Sequence, residues 1–130
     1  YGDGLSNVNL KKLIKFHKQN KKQVTLTAVR PPARFGYLKL KGNSVSYFKE
    51  KAKTDEGWIN GGFFVMEPGF LKLIKNDKTY LEREPLEAIT KKRKLAAFKH
   101  QDFWQCVDTI RDKKKLEILI KKKKYRKIFD

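Results

Sequence analysis

One hundred and thirty residues fit one domain, and 39% hydrophobic content with nine Phe, five Tyr and two Trp is enough to build a core, which excludes disorder over the whole chain. A single cysteine, Cys106, excludes an intrachain disulfide framework, and two histidines, His17 and His100, cannot with one Cys close a zinc site. No apolar run approaches the roughly 20 residues that span a bilayer and no export signal is visible, so the expectation is a soluble cytoplasmic chain without a membrane partner.

The net charge of +18 raises the question of nucleic acid, because basic patches bind phosphate backbones through counterion release. The distribution argues otherwise. Arg111 to Lys127 carries ten Lys and Arg against Asp112 and Glu117, so much of the excess lies in one C-terminal stretch. Only six of the 32 basic residues are Arg, the residue whose planar fork suits base reading and bidentate phosphate contacts. A lysine-biased solvated surface is the simpler reading.

In chain order, Tyr1-Gly2-Asp3-Gly4 sets a carboxylate between two glycines, as at a strand end where a metal-bound phosphate comes close. A strand ending at residue 3 has no beginning here, so the chain is expected to be the later part of a longer enzyme. Leu10, Leu13, Ile14 and His17 recur at helical spacing, predicting an amphipathic helix from Val8 to Asn20 capped by Ser6 or Asn7. Gln23 to Val29 alternates as a strand and is ended by Pro31-Pro32. Gly36 to Leu40 and Val45 to Lys51 read as a hairpin around Gly42-Asn43, followed by a polar loop over Ala52 to Gly57. Trp58 to Met66 is the most apolar segment, and Asn60-Gly61-Gly62 marks a close backbone approach as a buried strand begins. A short helix from Pro68 to Ile74, a helix over Leu81 to Lys92 with Pro85 in its first turn, a strand over Leu95 to Lys99 and a terminal helix over Val107 to Lys123 complete the pattern. Strands alternating with helices predict an α/β layer architecture.

Two acids stand apart from the lysine-rich surfaces: Asp3 between its glycines, and Asp108 after Phe103-Trp104-Gln105-Cys106-Val107 at the mouth of a helix. An Asp at a helix start is more often a cap than a ligand, whereas a pair at the ends of neighbouring elements suits Mg²⁺, which takes one or two protein carboxylates with water and substrate phosphates. Glu50-Lys51 is either a surface ion pair or a hydroxyl acceptor beside a phosphate-neutralising cation. Asn60 with its glycines either presents an amide and bare backbone to a sugar or forms a bulge. His17, on an apolar face, reads as structural, and Cys106 as packed rather than nucleophilic.

Taken as a set, Tyr1-Gly2-Asp3-Gly4-Leu5-Ser6-Asn7, Val29-Arg30-Pro31-Pro32-Ala33-Arg34-Phe35-Gly36, Glu50-Lys51, Gly57-Trp58-Ile59-Asn60-Gly61-Gly62-Phe63-Phe64-Val65, Glu82-Arg83-Glu84-Pro85-Leu86 and the run from Phe103 to Lys113 resemble, in the same order, the glucose-1-phosphate cytidylyltransferases. The resemblance implies a Rossmann-like nucleotidyltransferase fold with a mixed sheet, of which residues 1–113 are the sugar-phosphate-binding and metal-completing part and 114–130 a basic helix and tail. It implies transfer of CMP from CTP to glucose 1-phosphate, giving CDP-glucose and diphosphate for surface-polysaccharide deoxysugars. By the same resemblance Asp3 and Asp108 match the Mg²⁺ carboxylates and Lys51 the catalytic lysine facing the sugar phosphate. Gly36, Glu50 and Asn60 match the sugar-binding group, joined by Glu84. Most CTP contacts, and the glycine-rich phosphate loop, belong to a half of the family fold that this chain does not include. The isolated chain is therefore expected to be inactive and the full-length enzyme to be a homo-oligomer. Ala52 replaces the family's usual Pro, and Cys106-Val107 its Pro-Met, changes expected to loosen loops without removing ligands. The alternatives are a sugar nucleotidyltransferase for another base or sugar, or a basic nucleic-acid-binding module.

Overall fold

In the computed structural model residues 2–31, 37–49 and 57–121 are described. The order is β1 (Gly4–Ser6), α1 (Leu10–Asn20), β2 (Val24–Val29), β3 (Tyr37–Lys41), β4 (Ser44–Lys49), β5 (Ile59–Asn60), β6 (Val65–Met66), a 3-10 helix (Pro68–Leu73), α2 (Glu84–Lys91), β7 (Leu95–His100), β8 (Trp104–Cys106) and α3 (Ile110–Lys121).

β2 organises the molecule. Its alternating, β-branched sequence gives a strand buried on both faces, with Val24, Thr25 and Thr27 fully enclosed. One edge pairs parallel with β7 along its whole length, from Val24↔Leu95 to Val29↔His100. The other edge pairs antiparallel with β6 at Val24↔Met66 and with β5 at Ala28↔Asn60. Parallel and antiparallel partners on one strand make this the mixed α/β sheet expected from the sequence.

Hydrophobic packing concentrates at the amino end of β2. Val24, Phe70, Leu86 and Ile89 form the core cluster, so the 3-10 helix and α2 cover one face of the sheet there. α1 covers the opposite face through Leu13 and His17. His17 is structural: Nε2 donates to Glu67 Oε1 (2.9 Å), Nδ1 lies 2.8 Å from Thr25 Oγ1, and the ring ties α1 to β2 and to the start of the 3-10 helix. Phe16 adds an edge-on contact to Phe98 of β7.

Several boundaries differ from those expected. α1 begins two residues late because Ser6 is held in β1, with Oγ donating to the Phe103 carbonyl, while Asn7 donates to Asp102. The cap is Asn9, whose side-chain oxygen accepts from Lys12 N–H. The stripe of α1 is only half used, since Leu10 and Ile14 remain exposed. Residues 81–83 form a turn, and the helix over Leu81 to Lys92 contracts to Glu84–Lys91 with Pro85 in its first turn, where a missing N–H costs least. The buried strand expected to begin beside Asn60-Gly61-Gly62 is only Val65–Met66, preceded by a second short strand, Ile59–Asn60, with residues 61–64 between them. The terminal helix starts at Ile110 because Trp104–Cys106 is drawn into a strand against β1.

The β3–β4 hairpin forms its own two-stranded sheet, turning at Gly42 with φ of +58° as anticipated. Among the described residues no helix is long and apolar enough to cross a membrane.

Candidate active site

The β1–β8 ladder runs antiparallel with Gly4↔Cys106, Leu5↔Gln105 and Ser6↔Trp104. Continuing that register by one residue brings Asp3 opposite Val107, whose N–H donates to the Asp3 carbonyl (2.8 Å). Asp108 follows directly, so two acids 105 positions apart in sequence meet at one strand end. His100, closing β7, fixes this ladder to the main sheet: its Nε2 donates to the Phe103 carbonyl (3.0 Å) and lies 3.2 Å from Ser6 Oγ.

Asp108 is not the helix cap. That role falls to Thr109, whose hydroxyl accepts from Asp112 N–H (3.2 Å), while Asp112 takes back the Thr109 N–H and hydroxyl at 3.2 and 2.8 Å. This reciprocal box leaves Asp112 buried and Asp108 exposed. Sequence reasoning passed over Asp112, though Thr-x-x-Asp before a helix is a capping signature. Cys106, Asp108 and Asp112 present ligand atoms within 4.8 Å of one another.

The second wall of the site is a bulge. Gly61 donates its N–H to Thr27 O (2.8 Å), and Gly62 O accepts from Thr27 N (3.0 Å), so residues 61–64 arch over β2 between β5 and β6. A Cβ on Gly61 would sit 2.7 Å from Val29 Cγ1 and 3.1 Å from Thr27 O, an approach only glycine permits. Gly62 and Phe63 both take positive φ, +76° and +45°, to complete the arch. Asn60 closes it: its side-chain oxygen accepts the Gly62 N–H (3.0 Å). Of the two readings left open for this segment, the bulge is present, and Asn60 stands exposed at its edge.

Trp104 joins the walls. Its indole N–H donates to Gly61 O (2.9 Å), tying β8 to the bulge. Between them lies a cavity of about 530 Å³ lined by Asp3, Asn60, Gly61, Trp104, Cys106 and Asp108, among others. Three of the sequence-derived candidates, Asp3, Asn60 and Asp108, thus come together. Gly36, Glu50 and Lys51 lie outside the described residues. Glu84 lies elsewhere. It is exposed at the start of α2, 3.7 Å from Lys75 Nζ, and lines a separate cavity of about 300 Å³ with Lys75, Lys78 and Arg83. Cys106 is half-buried and lines the main cavity.

Two hard carboxylates at the ends of paired strands, open to a cavity, are a donor set that fits Mg²⁺. The soft Cys106 sulfur and the cap-bound Asp112 carboxylate are not needed for it.

The nucleotidyl transferase family profile matches residues 1–117. The glucose-1-phosphate cytidylyltransferase of Salmonella typhimurium is 48% identical over 124 residues, covering 95% of this chain and 48% of that protein. The mannose-1-phosphate guanyltransferase of Aspergillus oryzae is 31% identical over 116 residues, covering 85% of the chain and 32% of the relative. Among solved structures, one from Bacillus anthracis, described as a glucose-1-phosphate thymidylyltransferase with sucrose, superposes with a TM-score of 0.61 at 14% identity. It matches 91% of this chain and 51% of that one, a likeness of fold alone. The chain spans about half the length of the cytidylyltransferase it matches.

Proposed function

The chain belongs to the nucleotidyl transferase family, and we propose that it is the sugar-phosphate-binding and metal-completing part of a glucose-1-phosphate cytidylyltransferase, which makes CDP-glucose and diphosphate from CTP and glucose 1-phosphate. The observation that carries this reading is the β1–β8 register, which sets Asp3 and Asp108 on one cavity with Asn60. Identity to a cytidylyltransferase well above that to a guanyltransferase favours cytidine over guanosine.

Asp3 and Asp108 would hold Mg²⁺. Bound there, the ion would neutralise charge on the converging phosphates. The remaining work belongs to positioning, because phosphoryl-type transfer needs little covalent chemistry from the protein. A sugar-phosphate oxygen attacks the α-phosphorus in line and diphosphate leaves, with no enzyme-bound intermediate. Asn60, its amide oxygen fixed by Gly62, would offer its NH₂ end to a sugar hydroxyl. The Trp104–Gly61 hydrogen bond keeps the sugar wall in register with the carboxylates. Lys51 is assigned to the sugar phosphate and Gly36 and Glu50 to the sugar, by similarity. The full-length enzyme in this reading is cytoplasmic and homo-oligomeric and supplies most CTP contacts from outside this chain.

The test is diphosphate release by the full-length protein with Mg²⁺ and glucose 1-phosphate, comparing CTP, UTP, GTP and dTTP. CTP is expected to lead. A different preferred base would transfer the chain to a related sugar nucleotidyltransferase, and no release with any of the four would end the reading.

A further inference from the structure

The β2–β5 register, Ala28↔Asn60 and Val29↔Ile59, brings Arg30 opposite Trp58 at the next step. The parallel β2–β7 register places Lys99 beside Ala28. Because side chains alternate along strands, Ala28, Arg30, Trp58, Asn60 and Lys99 share one face of the sheet. The Arg30 guanidinium carbon lies 4.7 Å from the Trp58 ring centroid, and Lys99 Nζ lies 5.5 Å from the same centroid. Both cations are exposed and the ring is half-buried. Among the described residues no carboxylate forms an ion pair with either.

We propose that Arg30 and Lys99, gathered on Trp58, form an anion-binding pair for a phosphate-bearing ligand beside Asn60. One indole attracts each cation through its π face, yet the two like charges repel, so the cluster is electrostatically incomplete until an anion joins it. Arg30 brings a fork suited to two phosphate oxygens, and Lys99 a compact point charge. The location is that of ligands in α/β sheets: β2 and β7 are the parallel pair, and both cations stand at their carboxyl ends. Of the residues on this face only Asn60 lines the cavity that also holds Asp3, so the pair stands beside that cavity and not within it. Only the identity of the phosphate, substrate or separate effector, rests on the proposed transfer reaction.

Calorimetric titration of the full-length protein with inorganic phosphate, glucose 1-phosphate and glucose, without Mg²⁺, tests the pair in Arg30→Gln, Lys99→Gln and Arg30→Lys. Each Gln variant is expected to weaken phosphate and glucose 1-phosphate about tenfold. Arg30→Lys should lose less, glucose affinity should not change, and the melting temperature should hold, because both side chains are exposed. Phosphate affinity unchanged in both Gln variants overturns the proposal. Where phosphate binding falls, a raised KM for glucose 1-phosphate at near-constant kcat identifies the anion as the sugar phosphate, and an unchanged KM identifies a separate phosphate-bearing effector. Absence of cytidylyl transfer would sink the functional reading and leave the phosphate titration standing as its own result.

Discussion

The two ends of β2 have opposite neighbours. At Val24 the strand lies under Phe70, Leu86 and Ile89, with no polar side chain in that cluster. Five and six residues on, at Val29 and Arg30, it meets a glycine arch, an indole, two cations and a cavity bearing carboxylates. The strand backbone is equally regular at both ends, so the difference comes from what packs on it. The 3-10 helix and α2 cover the amino end, and the carboxyl end is left for short, irregular elements held by hydrogen bonds. Stability and the proposed ligand chemistry are therefore separable along a single strand.

Substitutions can break or sharpen that contrast in the full-length enzyme. Phe70→Ala empties the centre of the apolar end, where the ring is fully buried, and should cost about 3–5 kcal/mol in denaturant unfolding. Its signature is a lower midpoint with kcat of the folded enzyme retained; a comparable loss of kcat would show that the two ends are coupled. Asp108→Asn acts at the other end, and kcat is expected to fall about 100-fold with a Tm near that of the parent. Unchanged turnover there would remove Asp108 from the site. Gly61→Ala addresses the seam, since its Cβ must displace Val29, and about 1–3 kcal/mol of overpacking should appear with a raised KM for the sugar phosphate. Glu84→Gln, exposed at the start of α2 and only loosely paired with Lys75, should move stability by less than about 0.5 kcal/mol and leave kcat and KM as they are. A clear rise in KM would restore Glu84 to the substrate.

Local pattern made much of this legible. β2, α1, the hairpin at Gly42 and β7 follow from alternation, helical spacing and turn residues. Asn60-Gly61-Gly62 announced a close approach that the structure places against Val29. What could not be read locally depends on pairing over long separations. β8 is three residues long, and Trp104–Cys106 becomes a strand only because Gly4–Ser6 lies beside it. Asp3 and Asp108 were candidates by residue type and resemblance, but their meeting is a property of register. The cation pair needs two registers at once, since Arg30, Trp58 and Lys99 are far apart in sequence. Glu84 illustrates the converse: its sequence block matched a family pattern, while its position is fixed by a helix start that faces another cavity.

The Trp104 indole has one further consequence. Its N–H is bound to the arch while its side chain lines the cavity, so the environment of this fluorophore changes when the cavity fills. The protein thereby carries its own optical gauge of occupancy, with Trp58 as a second emitter under the cation pair, and binding can be followed by emission without any label attached.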